Sequence, residues 1–313
     1  MDTTELLKKV RKIEIKTRGL SSQLFSGEYH SAFKGRGMSF SEVREYQYGD
    51  DIRSIDWNVT ARFDTPYVKI FEEERELTVM LLLDLSQSSF FGTSGQTKND
   101  LIAEICAVVS FAAVNNNDKV GCIIFTDAVE LFIPPKKGKG HILRIVREIL
   151  GFGTSLFESD RKILKKEKGN VGTDIGAALE YFNGVIKKRS IVFLFSDFMD
   201  SGYETPLQIA ARKHDLVGVH IHDAREEEMP NMGIVRLFDP ETGVQKWVDT
   251  SSKKIRYAYA KHYKNNLAYF RNWFRKCGSD VMSIDSSIPD EKIRQRKYIQ
   301  TLHQFFRNRE RRK

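Results

Sequence analysis

The sequence predicts an α/β protein built on a doubly wound, mostly parallel sheet of the Rossmann-like kind, and three observations predict it. Four runs, residues 77–83, 120–125, 191–195 and 216–221, are apolar at nearly every position and bounded by charged or turn residues, the pattern of strands buried on both faces. Segments of helical periodicity fall between them. Strands and helices alternating in this order fold as right-handed crossovers, which bring the C-terminal strand ends to one edge, where open sheets bind ligands.

The elements follow in order. Residues 1–75 form an N-terminal elaboration, dense in charge yet aromatic at Phe33, Phe40, Tyr46, Tyr48, Trp57, Phe63 and Tyr67. Residues 76–290 hold the sheet domain. After its first strand, residues 100–114 (DLIAEICAVVSFAAV) fit a helix buried on most faces. Residues 129–133 follow the second strand after a very short turn and so predict an antiparallel edge strand. Residues 141–150 and 175–187 fit amphipathic helices. Residues 234–248 read as a hairpin around Glu241-Thr242-Gly243, and 252–276 and 291–309 as basic amphipathic helices flanking a short strand near 280–284. Residues 291–313 are set apart as a C-terminal basic helix.

Charge and composition narrow the function. The net charge of +8 is uneven: residues 253–313 carry 17 Lys and Arg against 5 Asp and Glu, about +12, which leaves the first 252 near −4. A basic segment of this kind suits nucleic acid or acidic headgroups, yet a solvated basic helix face needs neither. Tyr257, Tyr259, Tyr263, Tyr269, Phe270, Trp273 and Phe274 lie among those charges, and core packing explains aromatics on a helix better than base stacking does. Nucleic acid is therefore not the expected partner. Cys106, Cys122 and Cys277 are far apart within apolar patterns and suggest buried thiols, not a disulfide framework or a zinc site. No run of eighteen apolar residues occurs, and the first twenty lack a signal-peptide core. The expectation is a cytoplasmic protein without a transmembrane segment, with peripheral membrane contact left open.

The chemistry concentrates at LLLDLSQSS, residues 81–89. Asp84, Ser86 and Ser88 alternate just past a strand, so an extended loop projects their oxygens to one side. Thr173 precedes a helix and Asp197 directly follows a strand, both at equivalent positions of the sheet. All five are hard oxygen donors. Hydroxyls with few carboxylates suit magnesium or manganese, with calcium left open, and five protein positions leave one coordination site free. Taken singly, the first stretch reads equally as a turn or a helix cap.

Taken together, Asp84-x-Ser86-x-Ser88, Thr173 and Asp197 resemble the metal-ion-dependent adhesion site of von Willebrand factor A-like domains, in that family's chain order. The resemblance implies that the hydroxyls bind the metal directly, that the aspartates act through water, and that the open position accepts a partner's carboxylate. A wider resemblance runs through Gly35-Arg36-Gly37, Phe40, Val43-Arg44-Glu45-Tyr46, Gly49-Asp50-Asp51-Ile52-Arg53, Ile55-Asp56-Trp57 and Ala61-Arg62, and again through HDAREEEMPNMGIVRLFDPETG. These spans are similar to the bacterial family called domain of unknown function 58. That likeness implies an accessory or assembly factor working with a MoxR-type AAA+ ATPase or with a client that presents a carboxylate.

Two questions stay open at this level. Arginines and carboxylates alternate in the signature segment, a balance that favours internal ion pairs; the alternative is that Asp50, Asp51 and Arg53 contact a partner beside the metal. Metal-dependent phosphoester hydrolysis through Asp84, Asp174 and Asp197 is the enzymatic alternative. The sequence offers it little: no HExxH, GxSxG or phosphate-binding GxxxxGK[ST] occurs, and the expectation is a non-enzyme.

Overall fold

The computed structural model describes residues 3–24, 38–63, 65–73, 76–92, 96–163, 172–238 and 245–312. Residues 35–37 of the signature and the turn at 241–243 fall outside them. The chain forms two compact units, Phe33–Leu77 and, together, Met1–Ala32 with Thr78–Lys313. The first helix, α1 (Thr3–Leu24), belongs to the larger unit. The smaller unit pairs β1 (Met38–Glu45) antiparallel with β2 (Tyr67–Glu73), from Met38 opposite Glu73 to Glu45 opposite Tyr67, with a short helix α2 (Trp57–Phe63) between them.

The larger unit winds β3 (Thr78–Asp84), α3 (Lys98–Asn115), β4 (Lys119–Phe125), β5 (Val129–Lys136), α4 (Lys139–Ile163), α5 (Ile175–Val185), β6 (Ile191–Ser196), α6 (Glu204–Lys213), β7 (Asp215–His222) and α7 (Ala224–Glu227). A two-stranded ribbon, β8 (Ile234–Phe238) with β9 (Gln245–Asp249), precedes α8 (Lys253–Lys276), β10 (Asp280–Asp285) and α9 (Glu291–Arg311). The main sheet runs in the order β10-β7-β6-β3-β4-β5 and is parallel except for β5, which lies antiparallel to β4 at the edge. Two prolines, Pro134 and Pro135, fit that edge position, where a missing N–H costs no ladder bond. The sheet is doubly wound as expected.

Burial explains why the strands were so apolar. Leu81, Leu82 and Leu83 of the central β3 are 0% exposed, covered on both faces, and each such side chain gains about 1.5–3 kcal/mol by leaving water. The α3 helix is buried almost all round because α1 covers its outer side: Val10 and Ile13 are buried, Lys9 pairs with Asp100 at 3.1 Å, and Lys16 with Glu104 at 2.9 Å. Cys106 and Cys122 are buried free thiols, and Cys277 is partly buried. Of the aromatics on α8, Tyr263, Phe270 and Phe274 enter the core, whereas Tyr257 and Tyr259 stay exposed. Gly218 of β7 admits them. A Cβ there would stand 2.7 Å from the Phe274 ring and 2.9 Å from the Phe270 ring.

Two departures from expectation concern the helices of the sheet domain. The helix expected at 141–150 continues to Ile163, and α6, which the sequence pattern did not reveal, supplies the crossover from β6 to β7. Only Pro206, Leu207 and Ala210 of α6 are buried, too few to mark a helical period.

Candidate metal centre

From the neighbouring strands β3 and β6 the chain winds in opposite directions, through α3 to β4 and through α6 to β7. Such a reversal opens a crevice at the C-terminal strand ends. Asp84 is the last residue of β3, and Asp197 directly follows β6.

At the base, Asp84 is 3% exposed. Its Oδ1 accepts the Ser86 backbone N–H at 3.0 Å, and its Oδ2 accepts the Ser196 hydroxyl at 2.6 Å. Ser196 Oγ in turn accepts the Phe198 N–H at 3.0 Å. This chain of bonds ties the two strand ends together. Phe198 has a left-handed backbone, φ 54, which costs a side-chain-bearing residue on the order of 1 kcal/mol, and its ring stacks on Phe270 with centroids 3.8 Å apart. The stacking holds the strained turn that carries Asp197.

Ser86 stands at the start of a 3-10 turn, Gln87–Phe90, but its hydroxyl makes no capping bond. It lies instead 3.1 Å from the Ser88 hydroxyl, which stands near enough to Asp197 to lower the pKa of that carboxylate. Neighbouring ligands in an octahedron with metal–oxygen bonds near 2.1 Å stand about 3 Å apart, so these hydroxyls already have the spacing a small hard cation needs. Asp84, Ser86 and Ser88 are thus linked by hydrogen bonds, with Asp197 beside Ser88, and their donor set fits magnesium or manganese.

Thr173 is placed differently. The loop carrying it spans the strand tips: Asp174 N–H donates to Thr126 O beyond β4 at 2.9 Å, and Ile175 N–H donates to Asp200 Oδ2 beyond β6 at 2.9 Å. Thr173 is partly buried on that span, with no hydrogen bond to the other four among the described residues. Asp174, the third carboxylate of the hydrolase alternative, is exposed and caps α5 by accepting the Ala177 N–H at 2.7 Å. Among the described residues no three His, Cys, Asp or Glu side chains form a group able to hold a metal. A metal held here would rely on hydroxyls.

Its electrostatics are lopsided. Burial, and then the charge of Asp197, push Asp84 up to about 6. Burial acts the same way on Asp197, but the Lys98 ammonium and the Ser88 hydroxyl hold it below the usual carboxylate range. Lys98 is 2% exposed, with Nζ 3.4 Å from Asp197 Oδ2 and 2.6 Å from Glu226 Oε1. Burial opposes its charge, yet Asp197 and Glu226 prevail and raise its pKa.

Lys98 and Ser196 were not among the residues expected here. One local signal marks Lys98: Thr97 and Asp100 form a capping box, which puts the lysine in the first turn of α3, where the helix dipole disfavours a cation. A lysine so placed needs carboxylates from elsewhere in the fold.

Asp50, Asp51 and Arg53 lie in the smaller unit. Asp50 takes the Arg44 fork at 2.7 and 2.8 Å, Asp51 caps the next turn by accepting the Arg53 N–H at 2.9 Å, and the Arg53 side chain is exposed. Lys69 pairs with Asp56 at 3.4 Å. Internal ion pairing accounts for Asp50 and Asp56.

Residues 42–269 match the model of a family described as "Protein of unknown function DUF58". Uncharacterized protein Rv1480 of Mycobacterium tuberculosis is 26% identical over 285 residues, covering 91% of this chain and 86% of that one. Among solved structures, the conserved hypothetical protein BatB from Bacteroides thetaiotaomicron is similar at 14% identity over 76% of this chain and 100% of its own, TM-score 0.40. The SpRpn10 VWA domain is similar at 11% identity over 67% of this chain and 89% of its own, TM-score 0.34.

Proposed function

The chain belongs to the family of proteins of unknown function DUF58, and from that footing we propose that it is a protein-interaction module in which Asp84, Ser86, Ser88, Thr173 and Asp197 hold a divalent cation. The observation that carries this reading is the pair of hydroxyls 3.1 Å apart at the switch point of the sheet, where Ser86 also donates its backbone N–H to the buried Asp84 carboxylate. Magnesium and manganese suit the oxygen set best, and calcium would use the same donors. Bound there, the cation would supply a positive centre with a position left for a partner's carboxylate. Asp84 and Ser86, buried at the base, would fix it, while the more exposed Ser88, Thr173 and Asp197 leave it within a partner's reach.

The proposed partner is a MoxR-type AAA+ ATPase, or a client protein presenting a carboxylate, met in the cytoplasm. Asp50, Asp51 and Arg53 are proposed as further contacts. No helix among the described residues is long and apolar enough to cross a membrane. Any nucleotide chemistry then belongs to the partner.

Sedimentation of the purified chain with the purified ATPase of its own organism tests the partnership. Association in magnesium should weaken at least about tenfold in EDTA, and equally in Asp197→Ala, because a carboxylate–metal contact is lost in both. Association of equal strength in EDTA would overturn the metal-dependent reading.

A further inference from the structure

The centre is built with a cation of its own. We propose that Lys98 is a tethered counter-ion of the metal site, which stands beside Asp197 in the metal-free protein and withdraws wholly onto Glu226 when a divalent cation enters; this rests on the metal reading above.

Three observations carry it. Lys98 is buried in the first turn of α3, where the dipole opposes its charge, so its place is set by the carboxylates it meets and not by the helix. Its two contacts are unequal: 2.6 Å to Glu226 and 3.4 Å to Asp197. The ammonium is seated on the residue outside the donor set and leans on the one inside it. Glu226, finally, is anchored for this role. Its Oε2 accepts the Asp223 N–H at 3.2 Å in the capping box of α7, which leaves Oε1 to hold the lysine.

The consequence is electrostatic. A monovalent charge in a buried site, 3.4 Å from a ligand oxygen, satisfies Asp197 in part and repels an arriving dication. Metal affinity is thereby held down until a partner's carboxylate adds negative charge. Glu226 counteracts the repulsion by drawing the ammonium away from Asp197. The two residues should therefore act on the metal with opposite sign.

Titration calorimetry with manganese and magnesium on the full chain reads this directly, with circular dichroism to verify folding. Lys98→Met should bind the cation at least about tenfold more tightly than the wild type, and Glu226→Gln about tenfold more weakly. In the double variant most of the Glu226→Gln loss should vanish, because there is no ammonium left to return to Asp197. If Lys98→Met does not fold, Lys98→Gln retains a hydrogen-bond donor for Glu226 without the charge and reads the same quantity. Binding seen only once Lys98 is neutralised would be the strong form of the expected result. Metal binding by the wild type that is unchanged or weaker in both Lys98 variants would overturn the counter-ion role and leave the metal site standing. Binding in none of the proteins would overturn the metal site itself.

Discussion

Replacing Lys98 by methionine lowers the free energy of unfolding of the metal-free protein by about 3–5 kcal/mol, the usual cost of removing one member of a buried ion pair. The ammonium is 2% exposed, and its partners Asp197 and Glu226 have side chains only 11% and 21% exposed, so both carboxylates would be left in a poorly solvated site without a cation. Urea unfolding should show this as a lower midpoint at an unchanged slope. Adding Glu226→Gln to Lys98→Met removes one of the stranded charges and should return part of the loss, a non-additivity expected of residues in one network. A loss below about 1 kcal/mol is the behaviour of a solvated surface pair and would contradict the burial of this one.

Acid should destabilise the fold through two buried histidines. His214 and His220 are 2% and 1% exposed. Burial, followed by the charges of Lys213 and Arg189, lowers His214 to about 4; burial, followed by His222, lowers His220 to about 3. Both lie below the ordinary histidine value near 6.5, so the unfolded chain takes up these protons first. Stability from the pair is complete above about pH 6.5 and is lost as pH falls, on the order of 5 kcal/mol by pH 4. Asp84 has the opposite sign. Its folded value of about 6 exceeds the unfolded one, so the folded protein binds that proton first and gains about 2 kcal/mol between pH 6 and 4.

Two variants separate these contributions. His220→Phe should flatten the decline: His220 Nδ1 is buried without a hydrogen-bond partner, and the ring lies among those of Phe198 and Phe270, with centroids 6.5 and 5.9 Å away. Asp84→Asn should steepen it by removing the compensating proton. Urea unfolding at a series of pH values measures both, and a His220→Phe profile that coincides with the wild type would contradict the assignment.

Much of this architecture was legible because it is local. The strands around β3 announce themselves as apolar runs, since burial on both faces demands apolar residues at every position. Asp84, Ser86, Ser88 and Asp197 stand within a few residues of two strand ends, so knowing where the strands stop is enough to place them at one edge. What escaped depends on distant pairing. Ser196 meets Asp84 across 112 residues, and Lys98 meets Asp197 across 99, separations at which no spacing rule operates. The all-round burial of α3 was readable but its cause was not, because α1, which covers it, reads as a charged segment. α6 contributes too little apolar surface to the core to leave a period. The loop carrying Thr173 is positioned by backbone bonds of Asp174 and Ile175 to Thr126 and Asp200, none of which a motif encodes.

Metal binding by the Asp84 centre is the claim on which the functional reading stands, and calorimetric titration of the wild type and of an Asp84→Ala, Ser86→Ala double variant with magnesium and manganese tests it most directly. The account predicts saturable binding at one site per chain in the wild type and none in the double variant, with both proteins folded. Heats that are absent from the wild type and from Lys98→Met alike, or that persist unchanged in the double variant, would contradict it.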